Sequence, residues 1–224
     1  MKKVLMLTHS AGFKHDYLPL AEEVIKQIGK ESGAFSATTT QDCSLINAEN
    51  LKNYDALIFA TTGELPMSDE QKSAFIDFVK SGKGFIGIHN AADTFYKFPE
   101  YGEMLGGYFS GHPWSQRVDV IVEDQSHPST RHLDPVERGV LEEIYTFRNW
   151  SRDKTRVLAS LDNNSVDLSK GNREDNDYAL VWCHNYGKGR VFYTGFGHYK
   201  EIWGYEKFRK HLLGGIQWAL GLVD

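Results

Sequence analysis

Histidines and carboxylates recur in this chain at positions where a loop follows a run of apolar residues. The five clearest cases are His15, Glu64, His89, Asp93 and His198. An imidazole titrates near neutral pH, and a nearby carboxylate can orient it or share in proton transfer. Residues of these types, placed after several different apolar runs, indicate acid–base or metal chemistry at one site.

The first candidate group is His89, Asp93 and His198, which we predict to be catalytic. His89 ends the apolar segment 84–89, which should be central and buried, where an imidazole without a partner is costly. Asp93 lies four residues further on, so both side chains share a face if a helix begins there, and the carboxylate would then fix the imidazole tautomer. His198 comes shortly after the last predicted strand, in a glycine-containing turn that allows close approach to a ligand.

A second group of residues is predicted to contact a substrate. In segment 142–147 alternate residues point to one side of an extended chain, so that Glu143, Tyr145 and Phe147 line one wall. Taken singly, each candidate also has an ordinary explanation, such as a loop carboxylate, a solvated loop histidine or a salt bridge on a sheet face. The predicted substrate-binding residues are His15, Glu64, Tyr96, His112, Trp114, Glu143 and Tyr145.

A metal site is the alternative use of the same histidines. Imidazole and carboxylate are the usual zinc ligands where no thiolate is offered, but their spacing here matches no compact metal motif, so only convergence in space could create a site. The candidate ligands are His15, His89, His112 and His198, with Glu64 or Asp93 as an outer partner. The remaining histidines, among them His127, His132, His184 and His211, are interpreted as structural or solvent-facing.

The elements that must position these residues follow from the apolar pattern. Short β-branched and apolar segments predict strands at 4–8, 35–39, 56–60, 84–89, 118–122, 157–161, 179–182 and 191–194. Helical spacing occurs over 18–28, 75–79 and 208–220, and Ser68 is predicted to cap the second helix, which Ser81 and Gly82 end. Continuous apolar strands such as 56–60 are expected where helices cover both faces of a parallel sheet.

The predicted fold is therefore doubly wound α/β with a mostly parallel sheet, and with antiparallel additions in the C-terminal half, where helical spacing weakens. In such a sheet ligands bind at the carboxyl ends of the strands, which is where the polar candidates lie. No repeat or linker divides the chain, so we expect a single domain over residues 1–224.

Composition narrows the class of partner. The chain has 224 residues and a net charge of −5, with no block of Lys and Arg, which argues against nucleic acid or an anionic membrane surface as partner. No apolar run approaches the roughly 18 residues that a membrane span needs. The two cysteines, Cys43 and Cys183, exclude a disulfide framework and favour a reducing, cytoplasmic setting. The glycine-rich dinucleotide and phosphate motifs, the zinc-protease motif and the serine-hydrolase elbow are absent, so no nucleotide cofactor is expected.

Several segments taken together resemble the ThuA family, which is named for trehalose utilisation. They are 12–15, 61–64, 84–94, 111–113, 186–194, 197–198 and 211–219, and the resemblance runs from about residue 3 to 221. It implies the flavodoxin-like fold of class I glutamine amidotransferases. In those enzymes the strand before the elbow ends in Gly-Ile-Cys, whereas here His89 follows Gly87 and Ile88, so the thiol nucleophile is missing and amidotransferase activity is not expected.

The resemblance also implies a role in the catabolism of trehalose or related disaccharides, beside dehydrogenases that oxidise glucosides to 3-keto derivatives. A keto-sugar has a polarisable carbonyl and acidic α-hydrogens, so lyase or isomerase chemistry is expected, assisted by a divalent metal such as zinc. His89 would then be the base or the carbonyl-polarising group, oriented by Asp93 and assisted by His198. The partner is a sugar or oxidised sugar, and a homo-oligomer is compatible with the sequence.

Two other functions remain open from the sequence. One is a carbohydrate-binding protein without catalytic activity, in which Tyr96, Trp114, Tyr145 and Trp150 supply stacking faces. The other is a metal-dependent glycoside hydrolase.

Overall fold

One nine-stranded sheet forms the centre of the molecule in a computed structural model that describes residues 1–224. Its strand order is β2-β1-β3-β4-β9-β8-β7-β5-β6. The strands are β1 Lys2–Leu7, β2 Phe35–Thr40, β3 Ala56–Phe59, β4 Gly84–Ile88, β5 Tyr108–Val122, β6 Val136–Arg148, β7 Arg156–Leu161, β8 Ala179–Tyr186 and β9 Gly189–Thr194.

Five α-helices accompany the sheet: α1 Leu18–Ser32, α2 Ala48–Leu51, α3 Asp69–Lys80, α4 Pro99–Leu105 and α5 Glu206–Ala219. None of them combines the length and the apolar character that crossing a membrane requires. The core residues of α1 and α5 pack on one face of the sheet, and the core residues of α3 and α4 pack on the other face. Within β3, Leu57 and Ile58 are both fully buried and belong to different layers of the core. This is the doubly wound arrangement that the continuous apolar strands predict.

The sheet has a parallel and an antiparallel half that meet at β9. Strands β2, β1, β3, β4 and β9 are parallel in the flavodoxin-like order, and the pairs from β9 to β6 are antiparallel. The predicted fold class is thus confirmed. Strands β5 and β6 are much longer than the segments predicted there, and their pairing contains register shifts near Gly111 and Val118.

The boundaries of α3 agree with its sequence signals. The hydroxyl of Ser68 accepts the Gln71 N–H at 3.3 Å, and the Gln71 side chain accepts the Ser68 N–H at 3.0 Å, which together form a capping box. The helix ends before Ser81, and Gly82 continues with φ of +116°. The predicted start and stop of this helix are confirmed.

Candidate functional site

Three histidines and one glutamate converge beyond the carboxyl ends of the parallel strands. They are His15, His89, Glu143 and His198, and one nitrogen or oxygen atom from each lies within 4.8 Å of the others. His15 comes from the loop between β1 and α1, His89 directly follows β4, and His198 follows β9. Glu143 comes from β6, so the antiparallel half of the sheet contributes the carboxylate.

His89 sits on a sharp elbow between β4 and a 3₁₀ turn over His89–Asp93. Its φ of +42° is unusual for a residue with a Cβ, and the Tyr193 hydroxyl holds the His89 carbonyl at 2.7 Å. The His89 Nδ1–H donates to the Gly195 carbonyl at 2.7 Å. Because Nδ1 is occupied in this way, Nε2 of the fully buried ring faces the cluster.

Glu143 links the imidazoles to one another. Its Oε2 lies 3.1 Å from His198 Nδ1 and 3.4 Å from His89 Nε2, and these two nitrogens are 3.2 Å apart. Its Oε1 lies 3.5 Å from Nδ1 of His112, whose side chain is half-exposed at the rim of the site. The Tyr145 ring covers His89 with a centroid separation of 4.1 Å. Glu143 and Tyr145 therefore form one wall of the site, as their alternation along an extended chain predicts.

His15 is buried beside these groups. The Asn90 amide donates to His15 Nδ1 at 3.3 Å, and the Tyr17 hydroxyl donates to the Asn90 oxygen at 2.7 Å. Burial and the neighbouring His89 and His198 lower the pKa of His15 to about 4. His15 is therefore a neutral imidazole at neutral pH.

The other ionisable groups of the cluster have divergent pKa values. Burial lowers the pKa of His89 despite its contact with Glu143. Burial also acts against a charged His198, but the bond to Glu143 outweighs it and raises the pKa of that histidine. Burial alone would raise the pKa of Glu143, yet its contacts with His198 and His89 hold it well below the usual range. The carboxylate of Glu143 is therefore ionised, and it is the anionic centre of the site.

Glu142 supports the site from the opposite side of β6, although it was not among the predicted site residues. It is fully buried, and its carboxylate accepts backbone N–H groups from Gly197 at 2.9 Å, His198 at 3.3 Å and Glu143 at 3.2 Å. Burial raises its pKa to about 8. Asn90 and Tyr17 were also missed. The position of Asn90, directly after the elbow histidine, is the one signal that could have indicated it.

The predicted contact between Asp93 and His89 is wrong. The Asp93 carboxylate accepts the Tyr96 hydroxyl, and the group that orients His89 is the carbonyl of Gly195. The prediction assumed a helix that starts at the elbow, in which residues four apart share a face. The left-handed backbone at His89 and the 3₁₀ turn that follows remove that relationship.

Two of the predicted substrate contacts occupy other surroundings. Trp114 is 1% exposed, packs edge-on against Tyr178 and donates its indole N–H to the Asp167 carbonyl, so it is a core residue without a free stacking face. The bulges in β5 are the reason, because they change which side chains face the site. Glu64 is exposed and accepts the Lys97 N–H at 3.0 Å.

The remaining predicted residues lie around the rim or in the core. Tyr96 bonds Asp93 and lies under the Arg148 guanidinium, 4.7 Å from the ring centroid. Trp150 is buried and packs near Trp182, so it offers no open stacking face. The four histidines interpreted as structural bond backbone carbonyls or hydroxyls away from the cluster: His127, His132, His184 and His211.

The fold and the elbow define the class of protein. PurLQS from Thermotoga maritima shares the fold, with a TM-score of 0.56 and 16% sequence identity over 97% of this chain and 99% of that one. The amidotransferase-like fold expected from the resemblance is therefore confirmed. In this chain the first residue of the elbow after β4 is a histidine, His89.

The family follows from the comparison of sequences. The ThuA family model, described as trehalose utilisation, matches residues 3–219, and the chain belongs to this family. A ThuA-like protein from Bacteroides uniformis ATCC 8492 superposes with a TM-score of 0.81 and 25% identity, over 97% of this chain and 91% of that one. A second, from Parabacteroides merdae ATCC 43184, has a TM-score of 0.76 and 20% identity, over 98% and 90%. No curated protein sequence is significantly similar to the chain.

Proposed function

We propose that the chain is an enzyme that acts on a disaccharide oxidised to a 3-keto derivative, and that it catalyses proton transfer next to the carbonyl group. The observation that carries this proposal is the convergence of His15, His89, His198 and Glu143 on one edge of the sheet. Family membership supports a sugar as the substrate. The cluster supports carbonyl chemistry, because an imidazole N–H can donate to a developing enolate oxygen, and the Glu143 carboxylate beside His198 favours the protonated form of that imidazole.

The 3-keto group makes the neighbouring C2–H bond acidic. When the C2–H bond breaks, the proton goes to a base and the electron pair forms an enolate whose charge rests on the former carbonyl oxygen. The pair can then expel the glycosidic oxygen at C1, which takes up a proton, or C2 can regain a proton on the other face. The first outcome is a lyase reaction and the second an isomerase reaction, and both need the same stabilisation of the enolate.

The roles are divided by burial. At the buried end, an N–H of His198 polarises the carbonyl oxygen, and Glu143 and His89 hold that ring in place through its Nδ1. His112 is the proton acceptor in this proposal, because its imidazole is half-exposed at the rim and only its Nδ1 faces Glu143. The rings of Phe109 and Tyr145, 4.3 Å apart, supply an apolar face beside it.

The test follows 3-keto-trehalose by NMR in D₂O, with trehalose itself as the substrate control. We expect deuterium at C2 or release of glucose from the keto-sugar, and no change in trehalose. His89→Ala and His112→Ala should each lower turnover by at least about 100-fold, which is the lower range for acid–base groups. Thermal unfolding should show that both variants are still folded at the temperature of the assay.

Three results would contradict this proposal. Full turnover by His89→Ala would remove the assigned role of the elbow. Binding of the keto-sugar without consumption would support the carbohydrate-binding function, and cleavage of unoxidised trehalose would support the glycoside hydrolase.

A further inference from the structure

We propose that His89, His198 and Glu143 are the ligands of one divalent metal ion, of the zinc type, with His15 beside the fourth position. This inference deepens the proposed function at the same site. The metal's catalytic role rests on that function, whereas metal binding itself does not.

The first argument is geometric. A tetrahedral site with metal–nitrogen and metal–oxygen bonds of about 2.0–2.2 Å has ligand atoms about 3.3–3.6 Å apart. The three distances here are 3.2 Å between His89 Nε2 and His198 Nδ1, 3.4 Å between His89 Nε2 and Glu143 Oε2, and 3.1 Å between His198 Nδ1 and Glu143 Oε2. The three atoms thus form a triangle close to one face of such a tetrahedron.

The second argument concerns protons. The single N–H of a neutral His89 is used by the Gly195 carbonyl, so His89 Nε2 presents a lone pair. The oxygens of the Glu143 side chain also present lone pairs, so an N–H of His198 can serve its contacts with His89 Nε2 and Glu143 Oε2 but not the third contact, which joins those two atoms. Two acceptors, His89 Nε2 and Glu143 Oε2, then face each other at 3.4 Å in a buried place. A cation at the centre of the triangle would satisfy all three atoms at once.

The third argument is the support behind each ligand. Metal-binding histidines commonly donate their second N–H to a carbonyl or carboxylate, as His89 does to Gly195. His198 is fixed through its backbone, because the buried Glu142 accepts the N–H groups of Gly197 and His198. The ligand atoms are therefore held in position before any ion binds.

The donor set selects the metal and leaves room for a substrate. Two imidazoles and a carboxylate without a thiolate suit zinc and its neighbours among the first-row divalent ions. A ring nitrogen of His15 lies within 4.8 Å of the ligand atoms of the other three residues, so the fourth position is available to His15 or to a substrate oxygen. A metal ion bound there would act as a Lewis acid toward a carbonyl oxygen.

The test uses the full chain without a histidine tag, stripped with a chelator and then dialysed. Calorimetric titration with Zn²⁺ should give one ion per chain, and titration with Co²⁺ should give the intense visible absorption of a four- or five-coordinate ion. Glu143→Gln, which keeps the shape of the side chain, and His198→Ala should each weaken Zn²⁺ binding by at least about 100-fold. Loss of a residue that only hydrogen-bonds to a metal ligand typically weakens binding by about 10–100-fold, so loss of a ligand itself should reach or exceed the upper end of that range.

The matched control is His112→Ala, which removes an imidazole 3.5 Å from Glu143 that is not in the ligand set. It should bind Zn²⁺ like the parent chain while losing turnover. Circular dichroism and thermal unfolding of each variant separate loss of a ligand from loss of the fold.

The outcomes distinguish the two proposals. Zinc bound at one per chain, dependent on Glu143, with no turnover of the keto-sugar, would retain the metal site and overturn the proposed function. The opposite outcome has two parts: the stripped protein turns over the keto-sugar at a rate that a chelator does not slow, and it either takes up no Zn²⁺ or takes it up equally well after Glu143→Gln. This outcome would overturn the metal site and leave the proposed function standing.

Discussion

A buried histidine behind the elbow makes the protein sensitive to acid. His211 on α5 is 2% exposed; its Nδ1–H donates to the Ser129 carbonyl at 2.9 Å, and its Nε2 accepts the Thr194 hydroxyl at 3.0 Å. Thr194 directly precedes Gly195, whose carbonyl orients His89. Protonation of His211 would remove an acceptor next to the turn that positions His89.

The magnitude follows from the pKa. Burial lowers the pKa of His211 from 6.5 to about 3 in the folded chain. Between those pH values the unfolded chain binds a proton at this residue and the folded chain does not, so stability is present above pH 6.5 and falls as the pH drops. The slope is about 1.4 kcal/mol per pH unit, which gives roughly 2–3 kcal/mol lost between pH 6.5 and 4.5 from this one group.

The assay is urea unfolding of the parent chain and of His211→Gln at several pH values from 7.5 to 4.5. The variant keeps an N–H donor but does not titrate. We expect its free energy of unfolding to be lower than that of the parent at pH 7.5, but to fall less steeply with decreasing pH, with a slope smaller by about 1.4 kcal/mol per pH unit, which corresponds to one proton. Ile216→Val, at a buried position of the same helix, is the control and should shift the whole curve by about 1 kcal/mol without a change in slope. Equal slopes for the parent and His211→Gln would refute the reasoning.

Three further predictions test the placement of individual residues. Gly63→Ala should lower stability by more than about 2 kcal/mol in thermal unfolding, because φ is +76° and a Cβ would lie 2.6 Å from the backbone nitrogen of Gly12. Gly139→Ala is the control: its φ is +65° but a Cβ there would lie in open space, so it should lower stability by only about 1 kcal/mol. Trp114→Leu should lower stability by roughly 2–4 kcal/mol and leave KM for the keto-sugar unchanged, since the indole lies in the core. Asp93→Asn should retain turnover within about 10-fold, whereas Glu143→Gln should lose at least about 100-fold, because only the latter carboxylate contacts His89.

The sequence predicted the parallel half of the fold well because its signals are local. The run Ala56–Phe59 is apolar at every position since both faces of β3 are covered, and Ser68 and Gln71 form their capping box within one helical turn. His15, His89 and His198 were expected at one edge of the sheet, and the structure places them there. That expectation needed only the order of strands and the rule that parallel strands end on the same side.

The antiparallel half carried the errors because its geometry depends on distant pairings. The face that Trp114 presents is set by bulges in β5, which no pattern in the local sequence marks. The position of Asp93 depends on the left-handed backbone of His89, a conformation that sequence patterns do not predict for a histidine. The contact of Glu143 with His89 joins residues from the two halves of the sheet, and only the assembled sheet defines it.

The two adjacent glutamates of β6 explain how the halves of the sheet are coupled. Successive residues of a strand face opposite sides, so Glu143 reaches the imidazoles of His89 and His198 while Glu142 turns toward the backbone after β9. There Glu142 holds the N–H groups of Gly197 and His198. One glutamate thus binds the side chain of His198 and the other its backbone. A one-residue shift of β6 would exchange the two carboxylates and break both sets of contacts, so the register of this strand is a condition for the site.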